Sequence, residues 1–119
     1  MILNLSAYDI ECLEKAKQLI EADLSKHISI SDLSQKVALG ATKLKNGFAQ
    51  QYGTPIYSYL RTKRMLRAVE LLTDTDKTVK EIARLTGFRH KNNFTSAFKR
   101  YHGYTPRSLR KTVFLNKPK

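Results

Sequence analysis

The chain has 119 residues and carries 22 Lys or Arg against 10 Asp or Glu, which gives a formal net charge of +12. Residues 39–119 alone carry a net charge of +14, from eighteen Lys or Arg and four acidic residues, and such a basic region predicts a polyanionic partner, above all nucleic acid. The single cysteine, Cys12, excludes an intrachain disulfide and a Cys-rich zinc site, and no apolar stretch is long enough to span a membrane.

Apolar residues recur at helical spacing along the chain, and no alternating run typical of a strand exceeds a few residues. The pattern predicts an all-α fold of about seven helices. The length suits one compact domain or two very small ones. The opening residues lack the basic and apolar regions of a secretion signal, and we therefore expect a cytoplasmic protein.

The first predicted helix covers residues 9–24, with Asp9 placed to cap it and Cys12 as a buried or neutral helix residue. Its outer face is acidic and would repel a phosphate backbone, so we expect this helix to support the fold away from nucleic acid. The acidic residues of this face are Glu11, Glu14, Glu21 and Asp23.

Residues 31–38 and 42–51 are predicted to form two helices joined by a turn at residues 39–41. Two helices joined by so short a turn make a helix-turn-helix, a motif that places its second helix in the major groove of DNA. The sequence therefore predicts a first helix-turn-helix unit within residues 9–54.

A long helix is predicted to follow at residues 55–72. Thr54 can serve as its N-cap, and Pro55 is favoured in a first helical turn. At roughly 1.5 Å per residue this helix spans about 27 Å. As a rigid spacer it could hold two reading helices close to the roughly 34 Å repeat of successive major grooves.

Thr78 and Glu81 have the spacing of a capping box, in which each side chain satisfies a backbone N–H at a helix start. A short helix is therefore predicted to begin here and to end at Gly87, because glycine tolerates the positive φ of a tight helix ending. Its residues expected to be buried are Val79, Ile82, Ala83 and Leu85.

A further helix is predicted at residues 91–101, and a last short one at residues 106–111, followed by a frayed tail at residues 112–119. The helix at 91–101 has an apolar face at spacings i, i+3, i+4 and i+7, which we expect to point into a core. The residues of this face are Phe94, Ala97, Phe98 and Tyr101.

One supersecondary unit occurs twice along the chain. Residues of the same type recur fifty positions apart: Leu44, Phe48 and Gly53 correspond to Phe94, Phe98 and Gly103. Upstream the correspondence is one residue out of step, so that Ile30, Leu33 and Val37 match Val79, Ile82 and Thr86. The second turn is therefore predicted to be longer by one residue.

The outer face of each second helix carries hydrogen-bonding side chains among cations, which is what a helix in the major groove needs. An ordinary solvated face is the alternative for one helix alone, and the repetition of the stripe favours DNA binding. The stripes are Thr42, Lys45 and Asn46 in the first unit and Asn92, Thr95, Ser96 and Lys99 in the second. The cations assigned to phosphate contacts are Lys43, Arg61, Arg89, Lys99 and Arg100.

Residues 7–111 resemble the DNA-binding domain of the AraC/XylS family of bacterial transcription regulators. In the second unit the resemblance rests on Ile82-Ala83, Gly87-Phe88, Phe94, Phe98-Lys99, Gly103, Thr105-Pro106 and Arg110. In the linker it rests on Gly53-Thr54-Pro55, Tyr59-Leu60, Arg64-Met65, Ala68 and Leu71-Leu72. The order and spacing of these pieces make the resemblance specific.

The resemblance implies one DNA-binding domain at residues 1–119, with a first unit at 9–54, a linker helix at 55–73, a second unit at 78–111 and the tail at 112–119. It further implies that each unit places its second helix in adjacent major grooves of promoter DNA. The base-facing positions carried over are Thr42, Lys45, Asn46, Lys91, Asn92, Thr95 and Ser96. Lys45 suits guanine, and Asn46 or Asn92 suits adenine.

The chain departs from the family pattern at two positions of the first unit, where Ser34 and Gly40 replace the usual Ala and Ser. Gly47 within the second helix costs roughly 0.5–1 kcal/mol relative to Ala. The first unit is therefore either the less rigid reader, or Gly47 allows close packing.

RNA polymerase and an effector-binding or dimerisation domain are further expected partners, with the chain either a standalone regulator or part of a longer one. The alternative function is a basic helical module that binds RNA or an acidic protein. An enzyme is not expected, because His27, His90 and His102 lack the spacing of metal ligands or of a nucleophile's base. We accordingly assign no catalytic residue, cofactor or metal.

Overall fold

A computed structural model of the chain describes residues 2–116. These residues form seven α-helices and no strand, which confirms the predicted all-α fold. The helices are α1 (Ala7–Ala22), α2 (Ile30–Val37), α3 (Ala41–Tyr52), α4 (Ile56–Asp74), α5 (Val79–Leu85), α6 (Lys91–His102) and α7 (Pro106–Asn116).

The chain divides into two compact units between Thr62 and Lys63, within the continuous helix α4. Each unit has its own apolar core. The predicted assignment of residues 1–119 to one domain stays a prediction.

In the first unit, α1, α2, α3 and the beginning of α4 enclose the core, and Cys12 is buried there. The predicted N-cap of α1 was Asp9, but the structure has Ser6 in that position. Ser6 Oγ accepts a hydrogen bond from the N–H of Asp9, and the Asp9 carboxylate accepts one from the N–H of Ser6, so the two residues form a capping box. The helix therefore begins at Ala7, two residues before the predicted start. The other buried hydrophobic residues are Leu13, Ala16, Ile20, Leu33, Val37, Leu39, Leu44, Phe48, Ile56 and Leu60.

In the second unit, the end of α4 packs with α5 and α6 around Phe94 and Phe98, which are both fully buried. The predicted capping box of Thr78 and Glu81 is confirmed at the start of α5. Two predicted core residues were wrong, because Leu85 is 44% exposed and Tyr101 is 41% exposed. The other buried residues are Met65, Ala68, Leu71, Leu72, Ile82 and Ala83.

His102 takes the place on the core side of α6 that was predicted for Tyr101. Its Nε2 lies 3.2 Å from the carbonyl oxygen of Met65 in α4, and its ring packs against Phe98 and Tyr104. A polar ring with a backbone partner can thus close the edge of the core, which the apolar pattern alone does not reveal.

Each helix-turn-helix turn contains a left-handed residue close to the end of its first helix. Ala38 (φ 57°) directly follows α2, whereas Gly87 (φ 88°) follows Thr86, the C-cap of α5. The next N–H returns to the helix in both, from Leu39 to the Ser34 carbonyl (3.2 Å) and from Phe88 to the Ala83 carbonyl (2.8 Å). The first turn was predicted at residues 39–41, one residue late, because an alanine adopts the conformation expected of a glycine.

The bounds of α2 and α7 also differ from the predictions. Ser29 caps α2 through a hydrogen bond from the N–H of Asp32 (3.0 Å), so the helix begins at Ile30. The last helix continues to Asn116 instead of ending at Lys111. Of the predicted frayed tail, residues 112–116 are therefore helical and residues 117–119 lie outside the described residues.

Arg110 of α7 joins that helix to the end of α4. Its guanidinium donates hydrogen bonds to the carbonyl oxygens of Leu72 (3.3 Å), Thr75 (3.2 Å), Leu71 and Lys77. Carbonyl oxygens at a helix C-terminus lack intrahelical donors, so a single arginine here satisfies several at once.

Gly87→Ala is expected to destabilise the second unit more than Gly103→Ala does. Both glycines have a positive φ, 88° and 85°, so alanine is strained at either position by roughly 1–2 kcal/mol. Open space surrounds Gly103, whereas a Cβ on Gly87 would overlap the guanidinium of Arg64. The free energies of unfolding in urea should therefore differ between the two variants, and equal losses would mean that the Arg64 side chain shifts aside at little cost.

Candidate nucleic-acid interface

The second helix of the first unit, α3, separates a buried face from an exposed polar stripe. Leu44 and Phe48 are fully buried in the core. Because residues three and four apart share a face of a helix, this burial turns the predicted base-facing stripe outward. Its members Thr42, Lys45 and Asn46 are all exposed.

The second helix of the second unit, α6, has the same arrangement, with Phe94 and Phe98 buried in place of Leu44 and Phe48. The predicted base-facing residues Lys91, Asn92 and Ser96 are exposed, and Thr95 is half-buried. The structure thus groups three of the seven candidates on α3 and four on α6, each set within one unit. Their role in base recognition stays a prediction.

The N-termini of α3 and α6 differ from those of the other short helices. Gly40 and His90 occupy their N-cap positions, and neither makes a side-chain capping hydrogen bond. By contrast, side-chain hydroxyl groups of Ser6, Ser29 and Thr78 cap α1, α2 and α5. Helix N–H groups without a side-chain acceptor can donate to an anion such as phosphate.

The cations assigned to phosphate contacts are not equivalent. Arg61, Arg89, Lys99 and Arg100 are exposed. Lys43 instead forms an ion pair with Asp9, with 3.2 Å between Nζ and Oδ2. The side chain of Lys43 remains 46% exposed, but its ammonium group is directed toward α1.

Asp9 is the most buried carboxylate of this interface, at 5% exposure. The N–H of Ser6 donates to it at 3.0 Å, and the Lys43 ammonium group lies beside it. These hydrogen bonds lower the pKa of the Asp9 carboxyl below its ordinary value of 3.8, because they favour the charged form. Asp9 therefore stays ionised next to the first turn of α3.

The acidic outer face of α1 is partly engaged with the rest of the first unit. Tyr52 donates a hydrogen bond to Glu14 at 2.7 Å, and Tyr59 donates one to Glu21. Burial, together with these carboxylates, raises the pKa of both tyrosine hydroxyl groups. The acidic residues of α1 thus hold α3 and α4 in place, which fits a supporting role.

Sequence reasoning missed a set of contacts that residues 3–9 make along α3. Gln50 exchanges two hydrogen bonds with the backbone of Leu3. A Cβ on Gly47 would lie 3.3 Å from methyl groups of both Leu5 and Leu13, so this glycine allows the close packing that was one of its two predicted roles. Partners more than thirty residues apart leave no mark in local periodicity, so the sequence offered close packing at Gly47 as a possibility but did not reveal its partners.

Residues 2–116 contain no group of three His, Cys, Asp or Glu side chains that could hold a metal ion. Within the same residues, no helix combines the length and the apolar character that crossing a membrane requires.

Two helix-turn-helix units with exposed polar stripes on basic second helices define a DNA-binding protein. A family described as "Helix-turn-helix domain" matches residues 33–112, more than half of the chain. The chain belongs to the AraC/XylS family of helix-turn-helix transcription regulators. This membership confirms the predicted resemblance and agrees with the prediction that the chain is not an enzyme.

Known proteins similar to the chain are regulators of the same kind. The HTH-type transcriptional activator RhaR of Yersinia pseudotuberculosis is 33% identical over 110 residues, which are 92% of this chain and 38% of RhaR. The C-terminal domain of the two-component response regulator yesN from Fusobacterium nucleatum is 34% identical, with a TM-score of 0.76 over 84% of this chain and 98% of that domain.

A transcriptional regulator from Chromobacterium violaceum, described as containing an AraC-type DNA-binding domain, is 28% identical. Its TM-score is 0.78 over 94% of this chain and all of that one. The curated relatives are longer proteins, since the chain spans between 34% and 38% of their length.

Asp9→Asn is expected to remove part of the acid sensitivity of the first unit. Because folding lowers the pKa of Asp9, its charge stabilises the folded state above pH 3.8, and this stabilisation is lost as the pH falls through the lower folded-state pKa. Urea midpoints of the parent and the variant, measured from about pH 6 to about pH 2, should therefore converge at the acid end.

The control for this experiment is Asp32→Asn, which removes an exposed carboxylate from the first turn of α2 in the same unit. It corrects for the loss of one negative charge from the same unit. A difference between the parent and Asp9→Asn that stays constant over the pH range would contradict the stabilising role of the Asp9 charge.

Proposed function

We propose that the chain binds double-stranded DNA sequence-specifically, with α3 and α6 in adjacent major grooves of a promoter site. The single observation that carries this proposal is the repeated polar stripe on a helix whose opposite face is fully buried. A helix held in this way presents the same side chains to every ligand, as base readout requires. The net charge of +14 over residues 39–119 supports a phosphate-rich ligand.

The side chains of the two stripes suit base edges. Lys45 can donate to the O6 and N7 acceptors of guanine, and the amides of Asn46 and Asn92 can both donate to and accept from adenine. Thr95 is half-buried and its side chain is short. It therefore suits an apolar contact with a thymine methyl group better than a hydrogen bond to a distant base edge.

Phosphate contacts come from two sources in this proposal. Arg61, Arg89, Lys99 and Arg100 supply exposed cations. The N-termini of α3 and α6 supply backbone N–H groups that no side chain caps. Lys43 contributes less than these cations, because Asp9 already neutralises it.

The helix α4 supports the placement in adjacent grooves. It runs without a break for nineteen residues, which at roughly 1.5 Å per residue is about 28 Å. The helical repeat of DNA, roughly 34 Å, is of similar length.

Regulation of transcription follows from the relatives, which are named as transcriptional activators and regulators. We extend this role to the present chain, with RNA polymerase as a further partner. Since the relatives are longer, we also propose that an effector-binding or dimerisation domain accompanies the domain described. Because its proposed ligand is promoter DNA, we propose that the protein is cytoplasmic.

Selection from a random pool of duplex DNA at near-physiological salt tests the proposal. Enrichment of two short motifs about one helical turn, roughly 10 base pairs, apart is expected. Inserting about 5 base pairs between the motifs should then weaken binding, because the second motif moves to the opposite side of the duplex. Salt-sensitive retention without any enriched motif would favour the alternative, a basic module for RNA or an acidic protein.

Asn92→Ala is expected to alter the preference at a single base pair by roughly 1–3 kcal/mol, because a base edge loses its partner. The matched control is Asn93→Ala, since Asn93 is the adjacent exposed asparagine and lies outside the stripe. Binding to the selected site and to its single-base variants should be compared by fluorescence anisotropy.

Lys99→Ala is expected to weaken binding to all sequences alike and to reduce the slope of log K against log salt by about 0.9. This result follows if Lys99 neutralises one phosphate and reads no base. A uniform loss from both Asn92→Ala and Lys99→Ala would contradict the division into base and phosphate contacts.

A further inference from the structure

Residues 3–9 lie along one face of the first reading helix and contact it at three points. The points on α3 are Lys43, Gly47 and Gln50, which follow the spacing i, i+4 and i+7 of a single helical stripe. The contacts therefore reach from the first turn of α3 to its last turn.

The contact at the last turn is a pair of hydrogen bonds. The N–H of Leu3 donates to Gln50 Oε1 at 2.6 Å, and Gln50 Nε2 donates to the carbonyl oxygen of Leu3 at 2.7 Å. A primary amide is the side chain that can both accept from a backbone N–H and donate to the C=O of the same residue. Two hydrogen bonds to the same residue fix the orientation of the Leu3 backbone relative to α3 as well as its distance from that helix.

The two other contacts are of different chemistry. In the middle of α3, the missing side chain of Gly47 leaves room for methyl groups of Leu5 and Leu13, which would lie 3.3 Å from a Cβ at this position. In the first turn, Lys43 meets the buried carboxylate of Asp9. The capping box of Ser6 and Asp9 then continues the segment into α1.

We infer that residues 3–9 clamp α3 and fix its rotation about its own axis, with Gln50 and Asp9 as positioning residues for base readout by the first unit. The inference rests on the proposed DNA-binding function. The clamped stripe lies beside the base-facing stripe but shares no residue with it, and Thr42, Lys45 and Asn46 all stay exposed. A rotation of α3 would move all three reading side chains together, which is why a contact away from DNA changes specificity.

The clamp belongs to the first unit only. At the repeat distance of fifty residues, Asn93, Ala97 and Arg100 stand where the first unit has Lys43, Gly47 and Gln50. An arginine has no acceptor for a backbone N–H, and an alanine adds a methyl group that at position 47 would crowd Leu5 and Leu13 at 3.3 Å. The second reading helix, α6, therefore lacks the side chains that form this clamp. The motif that α6 reads can serve as an internal reference for the effect of a substitution in the clamp.

Gln50→Ala tests the clamp, with Gln51→Ala as the matched control on the adjacent exposed glutamine of the same helix. Both variants make the same change in helix propensity, but only the first removes the bonds to Leu3. Selection from the random duplex pool, scored separately for the two motifs, measures the outcome. In Gln50→Ala the discrimination against single mismatches should fall by about three- to tenfold in one motif and stay unchanged in the other.

The motif that loses discrimination must be the one that α3 reads. Lys45→Ala identifies that motif independently, because Lys45 is a base-facing residue of α3. A second measurement is amide hydrogen exchange, in which Gln50→Ala should accelerate exchange at the N–H of Leu3. That acceleration shows that the clamp exists in solution, and its absence would overturn the inference. A purely stabilising contact would lower the folded fraction of the first unit and weaken its motif, but would leave the ratio between matched and mismatched sites unchanged.

Equal losses in both motifs, or identical behaviour of Gln50→Ala and Gln51→Ala, would therefore overturn the inference while the DNA-binding function stands. Failure of the proposed function has a different signature, because the parent chain would then enrich no motif. The parent and both variants should be compared at equal folded concentration, measured by circular dichroism.

Discussion

The left-handed residue after the first helix of each pair is the constraint on which both units depend. A right-handed residue at Ala38 or Gly87 would continue α2 or α5 and carry the following helix away from the core. With positive φ, the next N–H returns to the helix, and the side chains of Leu39 and Phe88 are packed against the core. The direction of each reading helix therefore follows from one backbone conformation.

The two units reach this conformation by different means. Glycine adopts it without a Cβ penalty, and at Gly87 the missing side chain also makes room for the Arg64 guanidinium. At Ala38 two side-chain hydrogen bonds hold the strained backbone. The Tyr8 hydroxyl donates to the carbonyl oxygen of Ala38 at 2.9 Å, and the Ser34 hydroxyl donates to the carbonyl oxygen of Leu39. Ser34, a departure from the family pattern, thus stabilises the turn that lacks a glycine.

The sequence predicted those features of the fold that depend on residues close together in the chain. The helices follow from periodicity, and the capping box of Thr78 and Glu81 follows from spacing alone. Position within the core depends on neighbours distant in sequence, which is why Leu85 and Tyr101 were wrongly assigned to it. The candidate reading residues could be grouped from the sequence because burial of one face determines the other, whereas the contact of Leu3 with Gln50 spans forty-seven positions and could not.

In the proposed binding mode, the joining of two readers in one chain explains why the first can contain a helix-weakening glycine. Once one reader is bound, the second contact is intramolecular, and the combined avidity can exceed either affinity by about 100- to 10,000-fold. Neither reader then needs a strong hold on DNA by itself. Gly47 weakens α3 by roughly 0.5–1 kcal/mol, yet the same glycine admits the segment that orients the helix. For a reader coupled to a second one, accurate orientation matters more than the intrinsic stability of its helix.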